Sequence, residues 1–293
     1  MYHAHFGLRE APFSLTPDTA YFYAHDGAQA ALNTLRVALR SGEGFVKIVA
    51  EDGCGTTRLC RRLLAAHAPD CETAYIPNPT LDERTLLVAV CQELAIQVAG
   101  AQSPYHVIKD LEQGLLVHAR AGRRVVLVID EAQCIPDETV EVLRLLSNIE
   151  TEKRKLLQIV LFGQPELDER LAQPHLRQLL QRITFGERIA PLRAADIESY
   201  VTHRLRVAGA GEARIFSHAA VAEIARRGGG IPRVVNVIAH KSLMLAYGEG
   251  VARVERRHVR LAADDSAAVI AGYLPRSWFG RLLALGNRRI GLL

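Results

Sequence analysis

Between an apolar run and a helical pattern stands Ala50-Glu51-Asp52-Gly53-Cys54-Gly55-Thr56-Thr57-Arg58, which is nearly a phosphate-binding loop. The complete pattern is G-x-x-x-x-G-K-[ST]. Its backbone N–H groups cradle phosphates, its Lys reaches the β- and γ-phosphates, and its Ser/Thr hydroxyl holds Mg2+. Here Ala50 stands for the first Gly and Thr56 for the Lys, while Gly53 and Gly55 remain for the turn and Thr57 keeps the metal position. The following helix adds an N-terminal dipole that favours an anion. Gly53, Cys54, Gly55, Thr56 and Thr57 are therefore expected to hold the phosphates of ATP, with hydrolysis slow or absent. Arg58 cannot replace the lysine, because two residues along a helix turn it about 200° away. Asp52 adds a negative charge that opposes phosphate unless Mg2+ or a salt bridge screens it.

About 75 residues on, the run Val125-Val126-Leu127-Val128-Ile129 leads into Asp130-Glu131. A carboxylate at the end of a buried strand suits Mg2+, and the adjacent Glu131 could orient or deprotonate an attacking water; the plainer alternative is a helix N-cap. Gln164, after the strand Leu156 to Phe162, could hydrogen-bond a γ-phosphate or water. Arg177 and Arg182 flank Gln178-Leu179-Leu180-Gln181. Either could act as an arginine finger toward a neighbouring subunit, or form a surface salt bridge. Arg233 follows Pro232 at a helix start, from which its guanidinium could point back at bound phosphate or into solvent. Cys54 reads as a small side chain at a helix N-terminus, with a redox-sensitive thiol as the alternative.

These residues need a scaffold. Gly44 to Ala50 is a short β-branched run, and Thr57 to His67 carries helical spacing, giving strand, loop, helix. A strand at Thr73 to Ile76 precedes Pro77-Asn78-Pro79 and the capping pattern Thr80 to Glu83, which opens a helix through about Val98. Helix, strand, helix repeats with Ile108 to Ala119, Val125 to Ile129 and Asp137 to Glu150, then Leu156 to Phe162 and Pro165 to Leu171. Such alternation predicts an α/β parallel sheet with helices on both faces. Ligands of such sheets bind beyond the carboxyl ends of the strands. After about Pro191 strand signals fade, and Ala194 to Val207, Ser217 to Arg226, Arg233 to Tyr247 and Glu255 to Ala262 predict a small helical domain. The expected division is 1–192, 193–265 and a tail, 266–293.

An apolar fraction of 49% over 293 residues excludes a disordered or fibrous chain. Without an apolar run of about 18 residues or a basic-then-apolar N-terminal segment, a cytoplasmic location is expected. The five cysteines, Cys54, Cys60, Cys71, Cys91 and Cys134, are scattered and show neither a disulfide framework nor a zinc spacing. A net charge of +4 is too small to argue for nucleic acid, although Arg61-Arg62, Arg120/Arg123/Arg124 and Arg253/Arg256/Arg257/Arg260 cluster. Beyond Asp265 the tail mixes Trp278 and Phe279 with Arg276, Arg281, Arg288 and Arg289, which suits peripheral contact with the inner membrane or a docking peptide, the plainer alternative being a tail folded back on the helical domain.

In order, FGLREAPFSLTPD, the altered loop, YIPNP, VVLVIDEAQ, LFGQPELDERL, LRQLLQRI and GGIPRVVN resemble the AAA+ ATPases of the general secretion protein A (ExeA-like) family. The resemblance covers about residues 1 to 265 and implies a P-loop AAA+ core with a helical lid, using ATP and Mg2+. It further implies Thr57 and Asp130 at the metal, Glu131 and Gln164 as catalytic and sensor groups, Arg182 reaching a neighbour's nucleotide, and Arg233 as lid sensor. Implied partners are other AAA+ subunits, in a homo- or hetero-oligomer, and assembly proteins of a type IV (MSHA-like) pilus or secretion machine. The alternatives are a pseudo-ATPase scaffold and a DNA-associated AAA+ regulator.

Overall fold

The computed structural model describes residues 2–273 apart from Pro17, 66–70, 99–102, Lys153 and Ala213, so the predicted tail lies largely outside the described residues. The chain folds into two compact units: Ala24–Glu51 with Gly55–Ala190, and Met1–Tyr23 with Asp52–Cys54 and Pro191–Leu293.

The first unit is built on five parallel strands, β1 Phe45–Ala50, β2 Cys71–Ile76, β3 Arg124–Ile129, β4 Gln158–Gly163 and β5 Ile183–Ile189, in the order β2-β3-β4-β1-β5. β3 and β4 are buried almost throughout, as expected of central parallel strands covered on both faces. Phe45, Val49, Leu127, Ile129, Ile159 and Leu161 pack in one core with α4 Glu83–Glu93, α5 Pro104–Arg120 and α6 Asp137–Leu146. Val46, Ile48, Val126, Val128, Val160 and Phe162, on the alternate positions, are equally buried. α2 Asp26–Ser41 and α3 Thr56–Ala65 pack against β1 and against each other. α7 Pro165–Leu171 and the single turn α8 Arg177–Leu180 complete the unit.

Three local differences from the sequence reading have physical causes. The helix expected to reach Val98 ends at Glu93, where Ala95 turns left-handed (φ 54°) and the Ile96 N–H returns to the Cys91 carbonyl at 2.8 Å. It also starts from Asp82, whose carboxylate accepts the Thr85 N–H at 2.9 Å, rather than from Thr80. The strand β5 was not anticipated. It alternates half-buried and exposed residues and, among the described residues, pairs only with β1, an edge position that needs no continuous apolar run.

The second unit is helical: α1 Tyr2–His5, α9 Asp196–Val207, α10 His218–Gly228, α11 Pro232–Gly248, α12 Arg256–Asp265 and α13 Ala267–Tyr273. It takes in residues 2–23, which the sequence division placed with the sheet. The reason is Arg204, buried at 1% exposure, whose guanidinium donates to the carbonyls of Pro12 (2.5 Å) and Ser14 (3.3 Å) and lies 4.6 Å from the Tyr21 ring centroid. A buried charge persists only with such partners. Glu223 plays the matching part between α10 and α12: Arg256 donates to it at 3.0 Å, Arg227 at 3.3 Å, and Arg226 closes the cluster. Burial alone would raise this carboxyl, but the hydrogen bonds from Arg226, Arg256 and Arg227 prevail and hold it at about 2.

Candidate phosphate-binding site

Because the strands are parallel, Ala50, Ile129 and Gly163 end at one edge of the sheet, and the segments leaving these three strand ends are brought together there. After β1 the chain turns through Gly53 (φ 80°) and Gly55 (φ 97°) before α3 begins at Thr56. These left-handed angles are the reason for glycine at both positions. Nothing lies within 4 Å of where a Cβ on Gly55 would stand. The first N–H groups of α3 have no acceptor within the helix and face the side from which an anion would approach.

Asp130 follows β3 with only 3% exposure. Burial raises its pKa. A hydrogen bond from the Thr57 hydroxyl and another from the Glu131 N–H (3.1 Å) oppose that rise. The Tyr75 hydroxyl stands 3.5 Å away on the other oxygen. Thr57 and Asp130, the two residues expected at a metal, are thus in contact. A buried carboxylate beside a hydroxyl suits Mg2+, which binds through one or two carboxylates plus substrate phosphates rather than in an all-protein cage.

Glu131 adopts a left-handed backbone (φ 51°) that costs a non-glycine residue about 1–3 kcal/mol, a strain often found at functional sites. Its carboxylate accepts from Gln133 Nε2 at 2.7 Å and from Gln164 Nε2 at 3.2 Å, while Gln133 Oε1 accepts the Gln164 N–H at 3.1 Å. Glu131 and Gln164, placed on adjacent strands by the sequence, are therefore joined through Gln133, to which sequence reasoning gave no role. The available signal was its place two residues after the acidic pair. Gly163 leaves the room for it, since a Cβ there would come within 3.1 Å of Gln133 Oε1.

Both acids of the loop have cationic partners. Glu51 lies 3.8 Å from Arg188 on β5, and within the helical unit Asp52 lies 3.3 Å from Arg233. Arg233 is held further by its N–H on the Gly53 carbonyl (3.2 Å) and by its guanidinium against Tyr273, 3.2 Å from the hydroxyl and 5.4 Å from the ring centroid. A Cβ on Gly53 would stand 2.8 Å from Arg233 Cβ, so this glycine also permits close packing. Cys54 is buried.

Arg182 sits elsewhere. It precedes β5 at the amino edge of the sheet and donates to Ser147 Oγ (2.7 Å) and Asn148 Oδ1 (2.6 Å). A strand of this length sets it about 20 Å from the carboxyl edge, beyond reach of the loop of its own chain. Arg177 opens the short turn α8 beside it.

Residues 39–171 match the family model described as AAA domain. General secretion pathway protein A of Aeromonas hydrophila is 41% identical over 272 residues, covering 92% of this chain and 49% of that protein. The chain thus spans about half the length of this curated relative. Among solved structures, Cdc6p from Pyrobaculum aerophilum gives a TM-score of 0.67 at 17% identity over 87% of this chain and 70% of that one. The Aeropyrum pernix ORC1 protein, solved in complex with DNA, gives 0.64 at 17% identity over 97% and 77%. Likeness at such identity speaks for the fold alone. The parallel sheet flanked by helices, the loop and helix at its carboxyl edge and these likenesses identify the fold as that of the AAA+ P-loop ATPases, with the AAA domain at residues 39–171.

Proposed function

We propose that the chain is a nucleotide-binding AAA+ subunit of a type IV, MSHA-like pilus or secretion assembly machine, one that holds ATP with Mg2+ and hydrolyses it slowly. The observation that carries this reading is the contrast at the carboxyl edge. Thr57 bonds Asp130 and Gln133 joins Glu131 to Gln164, while Thr56 stands where a lysine would meet the β- and γ-phosphates. Gly53, Cys54, Gly55 and Thr56 present backbone N–H groups to phosphate, and Thr57 and Asp130 would hold the metal. Bound Mg2+ would neutralise charge on the β- and γ-phosphate oxygens. Glu131 would orient a water and Gln164 would sense what occupies the site, a reading supported by the hydrogen bonds of Gln133 to both. Arg233 serves as the lid arginine; its ion pair with Asp52 competes with phosphate for the same cation.

Arg182 acts on a neighbouring subunit, because its own loop lies across the sheet. A subunit that hydrolyses poorly could still donate this arginine to an active neighbour in a mixed ring. The pilus reading rests on the segments SGEGFVKI, LCRRLL and TAYIPNP, which resemble MSHA pilus biogenesis proteins, and the secretion reading on the name of the Aeromonas hydrophila relative, General secretion pathway protein A. The pilus reading places the protein at the cytoplasmic face of the inner membrane; among the described residues no helix is long and apolar enough to cross a membrane. Steady-state ATP turnover of wild type, Thr56→Lys and Glu131→Gln, measured beside Mg·ATP binding, tests the reading. Fast wild-type turnover removed by Glu131→Gln would make the chain an ordinary ATPase, and no binding would leave only a scaffold.

A further inference from the structure

Away from the phosphate edge, Arg36, Arg40, Arg62 and Arg124 line a cleft of about 160 Å3 in the sheet unit. They come from α2, α3 and β3, with Cys71 and Thr73 of β2 alongside. None of its lining residues among the described ones is acidic, and none is aromatic. Arg36 and Arg40 are exposed and make no ion pair among the described residues, though like charges four apart on a helix repel. The last-turn position of Arg40 is favoured by the helix dipole, but Arg36 lies a full turn earlier. Arg124 already donates to the Leu39 carbonyl at 3.1 Å, which fixes one wall. The same cleft is lined by the apolar side chains of Leu32, Leu39, Leu63 and Val126.

We propose that this cleft docks an acidic, leucine-rich segment of a partner protein, its carboxylates on Arg36 and Arg40 and an apolar side chain against the leucines and Val126 of the lining. Size favours a side-chain anchor, because whole small-molecule ligands usually occupy about 300–1,000 Å3. Nucleic acid fits less well: a phosphate backbone has nothing for an apolar recess, and the cleft offers no aromatic ring on which a base could stack. Arginine is also the charged residue most enriched where partner proteins dock. The cleft lies at the amino halves of β2 and β3, about four to six strand residues, or roughly 13–20 Å, from Asp130. A docked segment would leave the phosphate loop open.

The test is fluorescence anisotropy with the full chain and three probes of equal charge: a dye-labelled peptide built from Glu and Leu, the same peptide with Gly for Leu, and a single-stranded oligonucleotide. The Glu/Leu peptide should bind about tenfold more tightly than either of the others. Arg36→Ala with Arg40→Ala should remove about tenfold or more of that affinity at unchanged melting temperature, whereas Arg253→Ala with Arg257→Ala on the helical unit should not. Arg36→Lys with Arg40→Lys should restore part of it. Absence of peptide binding, equal affinity for the Gly peptide, preference for the oligonucleotide, or no response to the Arg36/Arg40 pair would each overturn the proposal.

Discussion

Replacing Thr56 with lysine restores the cation that this loop lacks and leaves Ala50 as its remaining departure from the complete phosphate-binding pattern. Thr56 is the first residue of α3, so a side chain there leaves from the positive end of the helix beside Gly55, where space is open. A hydrogen bond between charged groups is worth about 1.5–3 kcal/mol. At about 1.4 kcal/mol per factor of ten, Thr56→Lys should tighten ATP binding roughly 10- to 150-fold. One effect works against it. Asp52 could capture the new ammonium, but its existing pair with Arg233 has both side chains nearly half exposed (46% and 42%), and such pairs are worth about 0–1 kcal/mol. That discount is at most about fivefold. Turnover should respond more strongly than affinity, by about 10² to 10³, because a cation meets charge that develops in the transition state. Displacement of a fluorescent ATP analogue gives the affinity and phosphate release gives the rate. A folded Thr56→Lys protein with wild-type melting temperature and neither tighter binding nor faster turnover would refute the reasoning, since the remaining site would then be incompetent for reasons beyond the lysine.

Gln133→Ala in the Thr56→Lys background removes the amide joining Glu131 to Gln164 and should lower turnover about tenfold, one hydrogen bond's worth, with little change in ATP affinity. Asp52→Asn should free Arg233 and tighten ATP binding by up to about fivefold, in step with the modest value of a half-exposed ion pair. Asp130→Asn should abolish the dependence of ATP affinity on Mg2+. It should also raise the melting temperature at neutral pH: burial raises this carboxyl, so the folded state binds its proton more tightly and loses stability as pH rises above the ordinary aspartate range. Glu223 has the opposite sign. Held at about 2 against a usual 4.5, it contributes its full stabilisation above pH 4.5 and loses it as pH falls toward 2. The gap in urea midpoint between wild type and Glu223→Gln should therefore be largest near neutrality and close across that window.

The meeting of candidate residues at the sheet's carboxyl edge was legible where chemistry forces residue type and position together. Glycines at positive φ, a hydroxyl one residue into the helix and an acidic pair at the end of an unbroken apolar strand leave few alternatives, and Thr57 meets Asp130 as that logic requires. The central strands were legible because burial on both faces demands continuous Val, Ile and Leu. What escaped depended on tertiary partners. β5 carries Thr184, Glu187 and Arg188 among its apolar residues because, among the described residues, it has one neighbouring strand, and α4 stops early through a left-handed alanine with no local sequence signal. Arg204 holds residues 12–14 from almost two hundred positions away, a pairing no local pattern encodes. Gln133 acquires its role from Gly163, which lies next to it only once β3 and β4 are paired.

The most direct test is titration of Mg·ATP into the wild-type chain, with phosphate release followed in the same sample. The proposed function predicts saturable binding at or below about millimolar ATP, stronger with Mg2+ than without, and turnover far below the roughly 1–10³ per second usual for enzymes. No saturable binding at several times that concentration, or turnover within that usual range, would contradict it.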